Sequence, residues 1–347
     1  MTTTTRTTRT LKVGTRRSAL ATTQSGHVAD ALTERTGVLT ELVEITTDGD
    51  RSQASGIPLA GSSSVGVFVS ALREALLAGE VDVAVHSLKD LPTAPADGIT
   101  LAAIPLREDP RDVVVARDGL TLGELPPGSI VGTGSPRRVA QIHALGLGVE
   151  VTGLRGNVDT RIGKVRSGEY DAVVLARAGL ARLGRLDEVT EVLDPLQVLS
   201  APGQGALAVE CRSDDAEALA LLAQLDDPGT RAAVVAERAA LATLEGGCSA
   251  PIGALAELAE GEEGPELWLR AIALSEDGAL AVRRSASTTL DDDPATWPEA
   301  AQALGDALAS ELLAEGAAEL MNDTSPDQDS PGPAAHPSAR SAEVHHP

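Results

Sequence analysis

Three groups of residues have types and spacing that could do chemistry. The first is Lys89-Asp90, within Val81–Thr93 (VDVAVHSLKDLPT). The small and β-branched run Val81–Val85 reads as a buried parallel strand that stops at His86, and Pro92 forbids further regular pairing. A carboxylate and an ammonium therefore meet at a strand's carboxyl end, the edge where open α/β sheets bind ligands. A solvated turn is the other reading of the same pair. The second group is Ser135-Pro136-Arg137-Arg138. The strand Ile130–Thr133 runs into Gly134, Ser135 is a natural N-cap, and Pro136 suits the first helical position. Two arginines in that first turn oppose the helix dipole unless an anion lies between them and the free amides. The third is Cys248 in GGCSAPIG. A thiol held on a Gly-rich loop can reach outward for a covalent role, or it is simply a loop thiol. Cys211, inside an expected strand, reads as buried and inert.

The strand-to-basic-turn theme repeats. Val149–Thr152 leads to Leu154-Arg155-Gly156-Asn157 and a helix carrying Arg161, Lys164 and Arg166, and Ala172–Ala176 leads to Arg177, Gly179 and Arg182. Near the start, the strand Leu11–Thr15 passes through Arg16-Arg17-Ser18 into a helix that runs to about Arg35 and stops at Gly37, a possible anion site at a helix start. Between Val131 and Arg185 there are nine basic and four acidic residues, a local +5 in a chain of net charge −23, which leaves −28 for the rest. Either these arginines are scattered solvated charge, or those at strand ends and helix starts converge on a pocket for several carboxylates or phosphates. Arginine's planar fork holds such groups bidentately.

The elements that position these groups read as alternating strands and helices. A chain of 347 residues is long enough for more than one core. Leu39–Ile45 is a second strand, Val65–Ala78 a helix stopped by Gly79, and Pro105–Pro110 an interdomain crossing. Phe68 is most simply core, or a pocket wall at its loop-to-helix junction. Thr46–Ser64 is either a mobile cover or disordered. Ala206–Cys211 is a strand that could return to either sheet. From Ser213 the composition shifts to Ala, Leu and Glu. Ala216–Gln224 and Thr230–Leu244 then read as helices, Trp268–Leu274 and Ala279–Ser287 as a strand pair, and Pro298–Leu320 as an amphipathic helix. Residues 1–10 and 322–347 read as disordered.

Composition excludes several classes. The chain has four aromatics, Phe68, Tyr170, Trp268 and Trp297, so base stacking has no platform, and the acidic balance repels a phosphate backbone. No nucleic-acid partner is expected. There is no apolar run of membrane-spanning length and no signal-peptide core, so a cytoplasmic protein without a membrane partner is expected. No metal is expected either, since the cysteines and histidines lack ligand spacing. Gly132–Arg137 lacks the third glycine of a dinucleotide fingerprint, and Gly61–Gly66 has no following lysine for a P-loop.

Six ordered motifs carry a resemblance: GTRRSALA at Gly14–Ala21, AVHSLKDLP at Ala84–Pro92, GTGSPRR at Gly132–Arg138, LRGNVDTR at Leu154–Arg161, PGQGALAVECR at Pro202–Arg212 and GGCSAPIG at Gly246–Gly253. From Leu11 to Leu320 the chain resembles the porphobilinogen deaminase (hydroxymethylbilane synthase) family. The resemblance implies an α/β fold with two periplasmic-binding-protein-like (type II) domains around a cleft and a smaller α+β C-terminal domain. The expected boundaries are 11–104 with 203–213, 110–199, and 214–321. It implies a cytoplasmic, monomeric transferase that deaminates porphobilinogen and polymerises four molecules head to tail into hydroxymethylbilane. The primer would be one dipyrromethane cofactor, held by a thioether to Cys248. Asp90 matches the catalytic carboxylate. Lys89, Ser135, Arg137, Arg138 and Arg161 match cofactor-binding positions, and Arg16, Ser18, Arg155, Arg182 and Phe68 match substrate-binding positions. Many family members carry Gly-Gly-Lys-Gly-Leu-Phe where this chain has Ser63–Phe68, so the lysine is absent here. Asp50 matches an acidic loop residue only loosely. A non-catalytic binding protein for a small polycarboxylate would use the same arginines but gives no reason for Cys248. A transcription-regulator effector domain lacks its basic DNA-reading segment.

Overall fold

The computed structural model describes residues 9–45, 64–244, 250–262 and 264–322, with the backbone alone for 64–68 and 322. The start of the chain, the loop with Asp50, Cys248 and the tail from 323 lie outside the described residues, as does the Phe68 side chain.

The chain opens with β1 (Thr10–Thr15), α1 (Ala19–Thr36), β2 (Leu39–Glu44), α2 (Ser64–Leu77), β3 (Val83–Ser87) and β4 (Ile99–Ala103). α1 starts where the Ser18 hydroxyl accepts from the Ala21 amide, and it stops at Gly37, whose φ of 73° suits a residue without a β-carbon. Arg9 and Thr10 are ordered, against the expected disordered start. Arg9 is paired to Asp82 and, at 2.9 Å, to Asp215, and that pairing anchors β1.

Residues 105–111 then cross to β5 (Asp112–Ala116), β6 (Ile130–Thr133), α3 (Pro136–Ala144), β7 (Glu150–Gly153), α4 (Val158–Arg166), β8 (Ala172–Ala176), α5 (Arg177–Arg182) and β9 (Glu191–Val192). These five strands form a second sheet in the order β7-β6-β8-β5-β9, with β5 antiparallel to β8. The chain returns through 200–206 to β10 (Leu207–Arg212), which lies antiparallel between β3 and β4, giving the first sheet the order β2-β1-β3-β10-β4. The third sheet comprises β11 (Ile252–Glu260), β12 (Pro265–Leu274) and β13 (Ala281–Thr289). It is covered by α7 (Pro228–Thr243) and α8 (Trp297–Ala314), whose alanines and leucines share one core with it. The result is two α/β units, each on a five-stranded mixed sheet, and a smaller α+β unit on a three-stranded sheet.

Three details differ from expectation. β11 does not stand out in the sequence, because its alanine-rich IGALAELAE lacks the β-branched pattern of a strand. The expected helix to Leu320 breaks at Gly316 (φ 90°), and a short α9 (Ala317–Asn322) follows. The helix α6 (Ala216–Leu222), which the sequence groups with the third unit, buries Ala218 and Leu222 in the core of the first sheet with Leu11, Val13 and Leu32.

The two crossings lie side by side. The Glu108 amide donates to the Gly205 carbonyl at 3.3 Å, and Ser200 Oγ donates to the Pro110 carbonyl at 2.8 Å. Gly205 has φ of 88°, and a β-carbon there would collide with the Glu108 carbonyl oxygen. Gly205→Ala is therefore expected to lower stability by about 1–3 kcal/mol, the cost of holding a side chain in a left-handed conformation. Chemical denaturation of the purified protein checks this.

Candidate active site

The Lys89-Asp90 turn sits where the sequence places it, at the carboxyl end of a buried strand, although β3 runs on to Ser87 before the turn Leu88–Asp90 begins. Both sides of the turn are pinned. The Leu88 amide donates to the Ala206 carbonyl at 3.0 Å, and Arg238 from α7 donates to the Leu91 and Pro92 carbonyls at 2.9 and 2.7 Å. Gly203, with φ of 74°, brings the return crossing against the turn, where a β-carbon would press on Leu88 and the Lys89 amide. Behind the turn, Glu210 on β10 takes both Arg73 (2.7 and 3.0 Å) and His86 (3.2 Å). Burial pushes the Glu210 carboxyl up, but these two partners outweigh it and hold it at about 2. This ionic backing is not legible locally, because Arg73, His86 and Glu210 lie on three separate elements.

Arg137 and Arg138 are nearly inaccessible, at 3% and 5% exposed, and their guanidinium groups share one fully buried carboxylate. Arg137 Nη2 donates to Asp112 Oδ2 and Arg138 Nη2 to Asp112 Oδ1, each at 2.7 Å. Arg137 also donates to the Leu199 carbonyl, and Arg138 Nη1 to the Val174 carbonyl at 3.1 Å. The anion that the dipole argument requires near these arginines is thus supplied in part by the chain itself, from β5. Burial pushes the Asp112 carboxyl up, yet the two guanidinium groups pull it well below the usual carboxylate range. Ser135 stands at the N-cap of α3 but makes no side-chain capping bond.

Lys89 is half-buried, and its Nζ donates to Gln204 Oε1 at 3.2 Å. Burial and then the Arg138 charge push its ammonium down to about 8, while Asp90 and Asp112 oppose that shift. Asp90 itself is half-buried, with no hydrogen bond or ion pair from its carboxylate among the described residues.

The remaining arginines divide. Lys164, Arg166, Arg177 and Arg185 pair with Glu169, Glu188, Glu108 and Asp159 respectively, so four of the nine cations of the basic stretch meet local acids. Arg155 is exposed on the β7–α4 loop and forms no ion pair among the described residues. Arg161 donates through Nε to the Gly156 carbonyl at 2.8 Å, and its guanidinium is pushed down by burial and then by the Arg138 charge. Arg182 donates through Nη2 to the Gly205 carbonyl at 2.6 Å, on the return crossing, and lines a groove of about 320 Å³ with Val28, Leu106 and Leu225. Arg16 and Ser18 lie between β1 and α1, where the Ser18 hydroxyl is engaged as the helix cap. Sequence reasoning missed Asp112 and Gln204. A carboxylate opening the buried strand DVVVA was the available signal for the first.

Two family models match. "Porphobilinogen deaminase, dipyromethane cofactor binding domain" covers residues 11–220, and "Porphobilinogen deaminase, C-terminal domain" covers 231–314. Porphobilinogen deaminase 1 of Streptomyces coelicolor is 60% identical over 318 residues, spanning 90% of this chain and 98% of that protein. The chain belongs to the porphobilinogen deaminase family. Porphobilinogen deaminase of Mycobacterium tuberculosis is 58% identical over 316 residues, again 90% of this chain and 98% of that protein. Among solved structures, a periplasmic substrate-binding protein from Coxiella burnetii aligns with 63% of this chain and 93% of its own at 12% identity and a TM-score of 0.40.

A dipyrromethane carries carboxylate arms, so the family's cofactor can be tested against the side chains. Arg137 Nε and Arg138 Nε are buried donors without a hydrogen-bond partner among the described residues. A buried guanidinium N–H left unpaired is costly, and an anionic arm would satisfy it. The unpartnered Asp90 carboxylate matches the pyrrole N–H groups in the same way. The residues present fit the group. Among the described residues no helix is long and apolar enough to cross a membrane, and no cluster of His, Cys, Asp and Glu could hold a metal ion.

Proposed function

We infer that the protein is a transferase that deaminates porphobilinogen and joins four molecules head to tail, releasing hydroxymethylbilane and ammonia, with Asp90 as its catalytic group. The observation that carries this reading is the Asp90 carboxylate, unpartnered among the described residues at the end of β3, beside Lys89 and the buried Arg137–Asp112–Arg138 cluster. When bound, the dipyrromethane would supply the free pyrrole α-position to which the first incoming ring is joined, each later ring joining the one before it. Cys248 anchors it through a thioether, while Lys89, Ser135, Arg137, Arg138 and Arg161 take its carboxylate arms. Arg16, Ser18, Arg155, Arg182 and Phe68 serve the substrate.

Asp90 faces the substrate's aminomethyl carbon and stabilises the positive charge that grows there as ammonia leaves, in a site where water is partly excluded. Its oxygens also accept from pyrrole N–H groups, which fixes the ring for attack. Every added ring brings two carboxylates, so the arginines and Lys89 offset a charge that mounts with each cycle. The protein works as a cytoplasmic monomer with no nucleic-acid or membrane partner. Its net charge of −23 fits the absence of nucleic acid.

Intact mass of the purified chain tests the attachment. The wild type is expected to exceed its polypeptide mass by two linked pyrroles, and Cys248→Ser is expected to lose both that increment and turnover. A wild-type mass equal to the bare polypeptide would sink the scheme.

A further inference from the structure

Gln204 lies on the return crossing, 1% exposed, and no role in the chemistry above has been given to it. Its Oε1 accepts from Lys89 Nζ at 3.2 Å and from Arg138 Nη2 at 3.4 Å, while its Nε2 donates to Asp112 Oδ1 at 2.7 Å and to the Pro110 carbonyl at 2.6 Å. The amide orientation is fixed by these neighbours. Turned over, it would set an NH2 against two cations and a carbonyl against a carboxylate and another carbonyl. Its backbone is held as well, with the carbonyl accepting from Arg107 Nε at 2.7 Å.

The partners come from both α/β units. Lys89 follows β3 of the first sheet, whereas Asp112 opens β5 of the second and Arg138 lies on α3, which follows β6 of that second sheet. Among the described residues, Lys89 makes no hydrogen bond from its side chain other than the one to Gln204. A flexible ammonium tied to one buried amide is steered by that amide.

We propose that Gln204 is a positioning residue: it holds the Lys89 ammonium in register with the Arg137–Asp112–Arg138 cluster across the junction of the two units, and so controls both where Lys89 presents its charge and the pH at which it loses it. The inference deepens the reading above and rests on it only for the carboxylate that Lys89 grips. The charged groups acting on Lys89 are Asp90 on its own turn, Asp112 on β5, and Arg137 and Arg138 on α3. Gln204 is the neutral member among them, so changing its charge moves Lys89 in a known direction.

The test exploits the composition. The chain has three lysines, Lys12, Lys89 and Lys164, so ζ-¹⁵N-lysine labelling gives three side-chain signals, with Lys89 assigned by Lys89→Arg. In the full-length wild type, Lys89 is expected to titrate near 8, below the ordinary lysine range. In Gln204→Glu a carboxylate replaces the amide, and Lys89 is expected to titrate about 1–3 pH units higher. In Gln204→Leu the acceptor is gone, and Lys89 is expected to titrate about 1 unit lower, so that about half of its charge is lost at pH 7. A merely structural role would lower Tm in both variants and move neither titration. If Gln204→Leu fails to fold, Gln204→Glu still decides. An unmoved Lys89 titration in whichever variant folds overturns the proposal, and so does a shift in the wrong direction. The titration needs no turnover, so its failure is distinguishable from failure of the proposed activity.

Discussion

Asp90→Ala is expected to lower the rate of ammonia release from porphobilinogen by about 10²–10⁴-fold while leaving a folded protein. The size follows from the role. The carboxylate acts on charge that develops as the C–N bond breaks, and neither Lys89 nor the arginines can replace an acceptor-only anion. Fold retention follows from the structure. The Asp90 side chain is half-buried and bonds to nothing among the described residues, so its removal leaves no buried group unsatisfied. The change in stability is expected to stay within about 0.5 kcal/mol. Activity and Tm measured on the same preparation separate the two effects. Activity within a few-fold of wild type, or a Tm that falls together with activity, would count against Asp90 as the catalytic group.

The largest expected effect on stability is at Asp112. Its carboxylate is fully buried and shared by two guanidinium groups that are themselves almost inaccessible. Replacing it by alanine leaves two cations buried without their counter-ion, and breaking such an arrangement from one side costs about 3–5 kcal/mol. The pH dependence has a definite sign. The folded carboxyl titrates below its unfolded value, so the stabilisation is complete above the ordinary carboxylate range, near pH 4. It is lost as the pH falls through the depressed folded value. Below about pH 4, denaturant unfolding of the wild type is expected to show a steeper acid-dependent loss of stability than Asp112→Ala, in which Glu210 still titrates but the Asp112 contribution is gone. Equal stability of the two proteins near neutral pH would show that the ion cluster contributes nothing.

Asp112 also bears on the function. An anionic ligand arm reaching Arg137 and Arg138 finds a cluster of two cations and one anion, held rigid by Leu199, Val174 and Gln204. Such a cluster keeps one net positive charge and two unpaired Nε donors, enough to hold a carboxylate without collapsing when none is there.

Much of this was legible in the sequence because it is local. The end of β3 at Lys89-Asp90, the Ser18 and Gly37 caps of α1 and the Pro136 start of α3 each depend on a handful of neighbouring residues. The six motifs also named the family correctly, because they preserve residue types in order whatever their spacing in space. The pairing of charges was not legible. Arg137 and Arg138 lie 25 and 26 residues from Asp112, on a different element, and only the antiparallel placement of β5 beside β8 brings that carboxylate beneath them. Gln204 lies in the stretch Pro202-Gly203-Gln204-Gly205, which carries no local sign of a bridge, and it becomes one only where the return crossing lies between the two units. The sequence alone settled which residue types stand at which strand ends, since hydrophobic period and turn chemistry are properties of short segments. The tertiary structure alone decided which charges neutralise one another and which stay available for a ligand. Those pairings depend on distances through space between segments, and chain order does not encode them.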